Sequence, residues 1–522
     1  MVDLIKHSKE PENQPDPQPI PMPMPAYYGM PGMGGIPCPM PAVQPKKKTE
    51  FTAAELVFSI AVFALSFLLI RFAVCSPTGF VTTAVFALLI TAALIFMKKS
   101  GVKGSGRTAL TAGIMYLFSC VYFVTDNDFI KNLNTVFLIL CGLWLLYQYG
   151  SEDRRVPRFL PFVMMQAAVQ YPLEQFGRMP EAAVEGGRRT KVGRSLGSVL
   201  IGLAVAVVPT IIIGGLLVSA DSGVEKMLGG LSDIMTVAKI LPTIIQLCFA
   251  VPVGCYIFGA FYANAHRNRA EDVTEDTCAA HLAKWQKVGG IVTCTALTPV
   301  CVLYTMFFVS QANYLLSAFM NRLPEGFSHA EYARRGFFEL LAVIIINIFI
   351  IMIANIVTKE NGGKSAALRI YTAAVSFFTL VMIASALSKM VMYISEYGLS
   401  ELRLYTGWFM VLCAFAFVLV IVKQIKRGLA IMRPLAAVFI VMFGLLTFGR
   451  PDYVIARFNV EMYNAGYFER LDTEYLWSLS DDAKMYCMQS GNMPEDIDSN
   501  VIRRGLDAAN ISSMYVTGFK AK

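Results

Sequence analysis

The sequence predicts an all-α protein: a polytopic bundle of about eleven transmembrane helices, followed by a small helical domain outside the membrane. Three observations carry that prediction. Eleven runs of about 17–26 mostly apolar residues lie between Leu56 and Gly449, and a run near 20 residues is what an α-helix needs to cross the hydrocarbon core. Hydrophobic residues make up 55% of the 522 and charged residues only 16%, in blocks rather than in the periodic stripes of a soluble domain. Lys and Arg concentrate in every second connection, as the positive-inside rule requires.

Taken in order, the runs cover residues 56–75, 79–97, 108–124, 133–149, 197–218, 238–263, 289–312, 337–357, 369–393, 404–422 and 430–449. The fourth is the least clean, because Asn132 and Asn134 crowd its start. The basic connections contain Lys98, Lys99, Lys103 and Arg107; Arg154 through Arg194; Arg267, Arg269, Lys284 and Lys287; Lys359, Lys364 and Arg369; and Lys423, Lys426, Arg427 and Arg433. They hold about 23 Lys and Arg, against about eight in the alternate connections, which are neutral or acidic, as at Asp126 and Asp128. This alternation predicts a cytoplasmic N-terminus, an extracytoplasmic C-terminus and a multi-pass protein of the bacterial inner membrane. The net charge of +8 is therefore a topological signal. A nucleic-acid binder would cluster that charge on one face, so no nucleic-acid partner is expected.

Residues 51–150 carry helices one to four, and 151–196 form a basic loop. Within that loop Phe159–Phe176 is apolar enough to suggest a span. It contains Pro161, Gln166, Gln170 and Pro172, and Arg flanks it on both sides. A spanning helix has one basic flank, so an amphipathic helix lying on the inner surface is expected. Residues 197–449 hold helices five to eleven. No cleavable signal precedes the first span, which is expected to act as an uncleaved anchor.

The ends differ from the bundle. Residues 1–50 hold about half of the chain's 25 prolines and cannot bury a core, so a disordered Pro/Met-rich tail is expected. Its methionines and Cys38 suit Cu(I) chemically, but they lack a spacing that would converge on one ion. Residues 450–522 show apolar residues at helical spacing behind starts such as Asp472-Thr473 and Asp481-Asp482. Cys487 is the only thiol beyond the last span. The eleven cysteines show no paired spacing. No catalytic residue, cofactor or metal ligand is assigned; no zinc motif, P-loop or nucleophile elbow occurs, and Gly101–Arg107 is a short basic loop without the Lys-Ser of a phosphate cradle.

Two patterns bear on function. Pro209, Pro242, Pro252 and Pro299 lie in spans five to seven; broken helices form substrate sites in transporters, although proline is common in transmembrane helices generally. A set of polar residues also falls at the outer ends of spans: Asp221, Glu331, Tyr332, Arg334, Arg335, Glu339, Lys389, Arg403, Arg457 and Asn459. Charges in a membrane pair or face a cavity. Asp221 can pair with Lys389 or with Arg334 or Arg335, and Lys389 can instead snorkel to the interface. The Glu331–Glu339 loop can grip a lipid phosphate or fix itself by internal pairs.

Several of these segments carry a resemblance. Ala330-Glu331-Tyr332-Ala333-Arg334-Arg335-Gly336-Phe337-Phe338-Glu339-Leu340 is similar to the most recognisable block of an uncharacterised bacterial membrane family. Three further blocks follow in the same order: Ser219-Ala220-Asp221; Ser385-Ala386-Leu387 through Tyr393 with Tyr397-Gly398-Leu399-Ser400 and Arg403; and Ile455-Ala456-Arg457-Phe458-Asn459-Val460 with Leu471-Asp472, Tyr475-Leu476 and Leu479-Ser480 with Asp482-Ala483. The family is the domain of unknown function numbered forty-one seventy-three, with forty-one fifty-three a close relative, over about residues 195–522. Lys389 stands where that family is expected to prefer Arg. The resemblance implies a multi-pass membrane protein and no particular substrate.

The leading expectation is a non-catalytic envelope sensor, scaffold or partner subunit acting at the outer face, with membrane lipids and an envelope or membrane protein as partners. A transporter or flippase of a small or lipid-linked solute is the chief alternative. An integral-membrane transferase using Asp221 as base is third.

Overall fold

Without water to satisfy its backbone, an apolar run folds as a helix. The computed structural model describes residues 51–151, 160–188, 237–266, 275–310, 337–359, 366–426, 428–492 and 509–520, and among these it is helical, with one isolated bridge between Val288 and Thr358. Helix α1 (Ala53–Leu69) continues through a π-helical turn to Val74. There follow α2 (Phe80–Lys99), α3 (Gly106–Ser119), α4 (Val121–Val124) and α5 (Asp128–Gly150). Next come α6 (Leu160–Met165), α7 (Tyr171–Glu174), α8 (Arg178–Arg188), α9 (Val237–Ala265), α10 (Glu275–Trp285) and α11 (Gly290–Ser310). The chain then forms α12 (Phe337–Val357), α13 (Ala366–Tyr397), α14 (Glu401–Ile425) and α15 (Met432–Phe448). Four short helices close it: α16 (Pro451–Asn464), α17 (Thr473–Ser478), α18 (Asp481–Ser490) and α19 (Ile511–Lys520).

Among the described residues nine helices are long and apolar enough to cross a bilayer, or ten if the bent pair α15–α16 counts as one. The expected span at 197–218, with Pro209, lies outside the described residues, as does the tail 1–50. The chain is an integral, multi-pass membrane protein. Its surface agrees: Val57, Leu88, Leu110, Ile291 and Val441 point outward from their spans, which suits lipid and not water.

The bundle has two ends, defined by contacts. At one, Glu55 closes a capping box with Thr52 and also meets His266 at the end of α9, while Thr111 donates to Gln148 at 3.0 Å. At the other, Lys131 reaches the carbonyl of Thr78, and the Phe80 amide donates to Ala509. Helices α16–α19 sit at this second end as a cap.

Two large hydrophobic clusters organise the described part of the bundle. The first joins α1–α5, α8, α9 and α15, and the second joins α11–α14. Phe443 of α15 stacks on Phe118 of α3 at 5.6 Å, and Trp408 of α14 donates its indole N–H to Met442, so α14 and α15 tie the two cores together. Three polar side chains inside the second core form one chain: the Tyr304 hydroxyl donates to Asn347, whose amide donates to Thr379 at 2.9 Å. Such an interhelical chain fixes register in a medium where apolar packing alone discriminates weakly.

Helix α5 starts at Asp128, earlier than the sequence suggested. Asn127 caps it by accepting from the Ile130 amide at 2.9 Å; of the two asparagines that seemed to delay it, Asn134 is buried and donates to the Phe118 carbonyl, while Asn132 is exposed. Pro242, Pro252 and Pro299 lie inside unbroken helices, so these prolines open no discontinuous site. Of the segment expected to lie on the surface, Leu160–Glu174 folds as α6, a π-helical turn and α7. Val163, Ala167 and Tyr171 pack on α5 and α9, while Met165, Val169 and Leu173 face outward. It is a short helix seated against the bundle end, too short to count among the spans.

Candidate functional site

Where the last span meets the cap, the backbone is forced into an unusual turn. Proline at 451 disfavours an α conformation for the residue before it and favours its own place at the first helical position. Arg450 takes φ +51°, the one positive-φ non-glycine among the described residues, and α16 leaves α15 at 61°. That turn delivers the Arg450 guanidinium to Asp482 at the start of α18, with Nε at 3.2 Å and Nη2 at 2.9 Å.

Asp482 is fully buried, and its carboxylate gathers donors from three parts of the chain. Thr125 donates its hydroxyl at 2.5 Å and Asp126 its amide at 3.0 Å; Ser512 of α19 also bonds it. Asp126 in turn accepts from Lys131 at 3.2 Å, from Asn510 at 2.7 Å and from the Asp481 amide. Asp452 accepts from Ser480 and from Asn127 at 2.9 Å. The Asn127 amide also reaches Glu401 and Tyr405. Two of these buried carboxylates thus pair with cations across the joint between bundle and cap, Asp126 with Lys131 and Asp482 with Arg450, while Asp452 is held by neutral donors. Breaking such a pair by removing one partner is costly because the other is left buried and uncompensated.

The family model described as "Domain of unknown function (DUF4153)" matches residues 112–486. The chain belongs to this family. The match is to the family numbered forty-one fifty-three rather than forty-one seventy-three. It begins in α3 instead of near residue 195, so the first-half helices α3–α5 are part of the family domain. Asp126, Lys131, Arg450, Asp452 and Asp482 all fall within the matched stretch. No curated protein and no solved structure matches the chain.

The sequence-selected residues scatter. Asp221, Glu331, Tyr332, Arg334 and Arg335 lie outside the described residues. The Glu339 carboxylate, in the first turn of α12, acts electrostatically on Lys389 of α13. Arg403 and Asn459 meet at one turn: Arg403 donates to the Tyr397 and Gly398 carbonyls, and the Asn459 amide pairs with both backbone groups of Leu399, at 2.7 and 2.8 Å. Arg457 stands apart on the surface, paired with Glu461 at 2.7 Å. The buried junction was missed although its parts were visible as Asp126-Asn127-Asp128, Arg450-Pro451-Asp452 and Ser480-Asp481-Asp482. Their signal was that each follows or opens an element abruptly. Among the described residues no group of three or more His, Cys, Asp or Glu is placed to hold a metal.

The turn clamped by Asn459 yields a sharp expectation. Gly398 has φ +75°, and a Cβ there would sit 2.5 Å from the Asn459 carbonyl oxygen. Gly398→Ala therefore adds left-handed strain of about 1–2 kcal/mol and also displaces the Asn459 bonds. A lowered unfolding midpoint of the purified protein checks it, and an unchanged midpoint would reject the clamp.

Burial pushes the Asp452 carboxyl up to about 6, against bonds from Ser480 and Asn127 that favour its charged form; Glu401 and Asp482 push in the same direction as burial. The folded state thus holds this proton more tightly than the unfolded chain. Its contribution is full below the ordinary carboxylate value of 3.8 and is lost as pH rises through about 6. The loss is about 3 kcal/mol. Asp452→Asn is expected to flatten the fall in unfolding free energy between those pH values, and a variant with the wild-type slope would assign that slope to another group.

Burial also pushes the Cys487 thiol up to about 11, and its side chain is enclosed by the cap core. It is thus a reporter of cap opening and not a surface label.

Proposed function

We propose that this protein is a non-catalytic membrane scaffold or sensor subunit, with its cap on the extracytoplasmic side of a bacterial inner membrane. The observation that carries the reading is the use made of the acids at the junction. Asp126, Asp452 and Asp482 are spent on bonds that bolt α16–α19 to the spans, leaving a rigid connection between an extramembrane surface and the bundle. A rigid joint suits a protein that relays or holds position. Orientation rests on charge: Lys98, Lys99, Lys103, Arg107, Lys284, Lys287, Lys359 and Lys423 all belong to the end opposite the cap.

Labelling tests the orientation first. Tyr467 is 72% exposed on the cap, so a Tyr467→Cys, Cys487→Ser protein is expected to react with a membrane-impermeant maleimide in intact cells. Reaction only after lysis would turn the bundle over. Role is tested by cross-linking in native membranes: a partner held through the cap should be lost from Asp482→Ala and kept by wild type. Solute flux or turnover by the purified protein alone in proteoliposomes would overturn the non-catalytic reading.

A further inference from the structure

Helices α12, α13 and α14 enclose a cleft of about 210 Å³ at the cap end of the second core, lined by Phe337, Phe338, Met390, Tyr393, Ser400, Leu402, Arg403 and Thr406. We propose that this cleft seats the phosphate headgroup of an anionic phospholipid, held by Arg403. The inference is independent of the scaffold reading, since it concerns a ligand and not the cap.

The argument begins with Arg403. Its Nη1 is anchored on the Tyr397 and Gly398 carbonyls, and the Tyr393 ring lies 4.2 Å from its guanidinium carbon. The group is thus fixed in orientation by backbone acceptors and an aromatic face, neither of which neutralises its charge. Among the described residues no carboxylate pairs with it, and Nε and Nη2 have no acceptor. A half-buried guanidinium whose fork is oriented but unfilled is a preorganised site for a planar or tetrahedral oxyanion.

The surroundings specify what carries the anion. Ser400 precedes α14 without capping it through its side chain, and the Glu401 amide is already bonded by Tyr475. Ser400, Leu402 and Arg403, at the start of α14, all line the cleft, and the dipole at a helix N-terminus favours negative charge. Glu401, the nearest acid in the chain, is drawn to Asn127. Phe337, Phe338, Met390 and Leu402 make most of the remaining lining apolar, and it runs onto an outward apolar surface: Phe338 is 52% and Leu402 61% exposed. The volume suits a headgroup and not a whole lipid, whose chains would lie along that outer surface. The depth is also right, since the cleft lies at the ends of three spans beside Tyr393 and Tyr397, the residue type that marks the headgroup level. A soluble anion would gain nothing from the apolar rim, and a neutral amphiphile nothing from the guanidinium.

The test uses the full-length protein purified in detergent, titrated separately with phosphatidylglycerol, phosphatidylcholine and inorganic phosphate. Bound lipid is counted by native mass spectrometry. Thr406→Trp fills the cleft; the Thr406 hydroxyl bonds only carbonyls of its own helix, so no tertiary contact is lost. Arg403→Lys is the second variant, keeping the charge and removing the fork. Wild type is expected to prefer phosphatidylglycerol to phosphatidylcholine by about tenfold. Thr406→Trp should abolish that preference with its lipid-free unfolding midpoint unchanged, and Arg403→Lys should weaken it several-fold. Equal retention of the two lipids would overturn the anion site. Competition by inorganic phosphate as strong as by the lipid would reassign the cleft to a soluble anion. Undiminished binding to both variants would place the lipid elsewhere and overturn the proposal.

Discussion

Asp482→Ala opens the cap. The substitution leaves the Arg450 guanidinium, the Thr125 and Ser512 hydroxyls and the Asp126 amide without the carboxylate that joined them. Removing one partner of a buried ion pair costs about 3–5 kcal/mol, which is a large share of the stability of a cap made of four short helices. The readout is Cys487, 2% exposed in the native cap. In detergent-solubilised protein a maleimide should modify it slowly in wild type and at least tenfold faster in Asp482→Ala. Asp482→Asn, which preserves shape and some acceptors, should fall between them. Arg457→Ala removes only an exposed pair and should behave as wild type. If Asp482→Ala reacts no faster than wild type, the junction is not what holds the cap.

Gly259→Ala is the second large effect, at the opposite end. Gly259 lies where α9 passes the surface helix, and an added Cβ would meet the Pro172 carbonyl oxygen at 2.6 Å and that of Gln175 at 3.1 Å. Both are backbone atoms, so no side chain can rotate away. Overpacking of this kind costs about 1–3 kcal/mol, and it acts on the contact that seats α7. Tryptic cleavage at Arg178 should accelerate, together with a lowered unfolding midpoint. Gly113→Ala is the control: nothing lies within 4 Å of its added Cβ, and alanine is the better helix former, by about 1 kcal/mol. A neutral Gly259→Ala would mean that the surface helix can shift without loss.

These two sites differ in how far the sequence revealed them. That the segment seated by Gly259 is not a span was legible, because Arg flanks it on both sides. Its anchor was not, since Gly259 resembles any small residue in a span until Pro172 is brought against it. The same holds for Asn459. Its place among polar residues at the bundle end was visible in the chain, but its pairing with Leu399 joins positions 60 residues apart. Arg457, two residues earlier, looked equivalent and projects to solvent.

The sequence by itself determined the solvent and the scaffold of this protein. Apolar runs of membrane length must become helices, because a bilayer offers no other partner for the backbone. Helix limits at Phe448 and Pro451 follow from proline chemistry in the same local way. What only the tertiary structure decided is which polar groups meet. Thr125 and Asp482 are 357 residues apart, and neither periodicity nor composition carries information over that distance. Burial then gives those groups their character: the acids at chain turns look solvated in the sequence, and become interior joints once the cap closes over them.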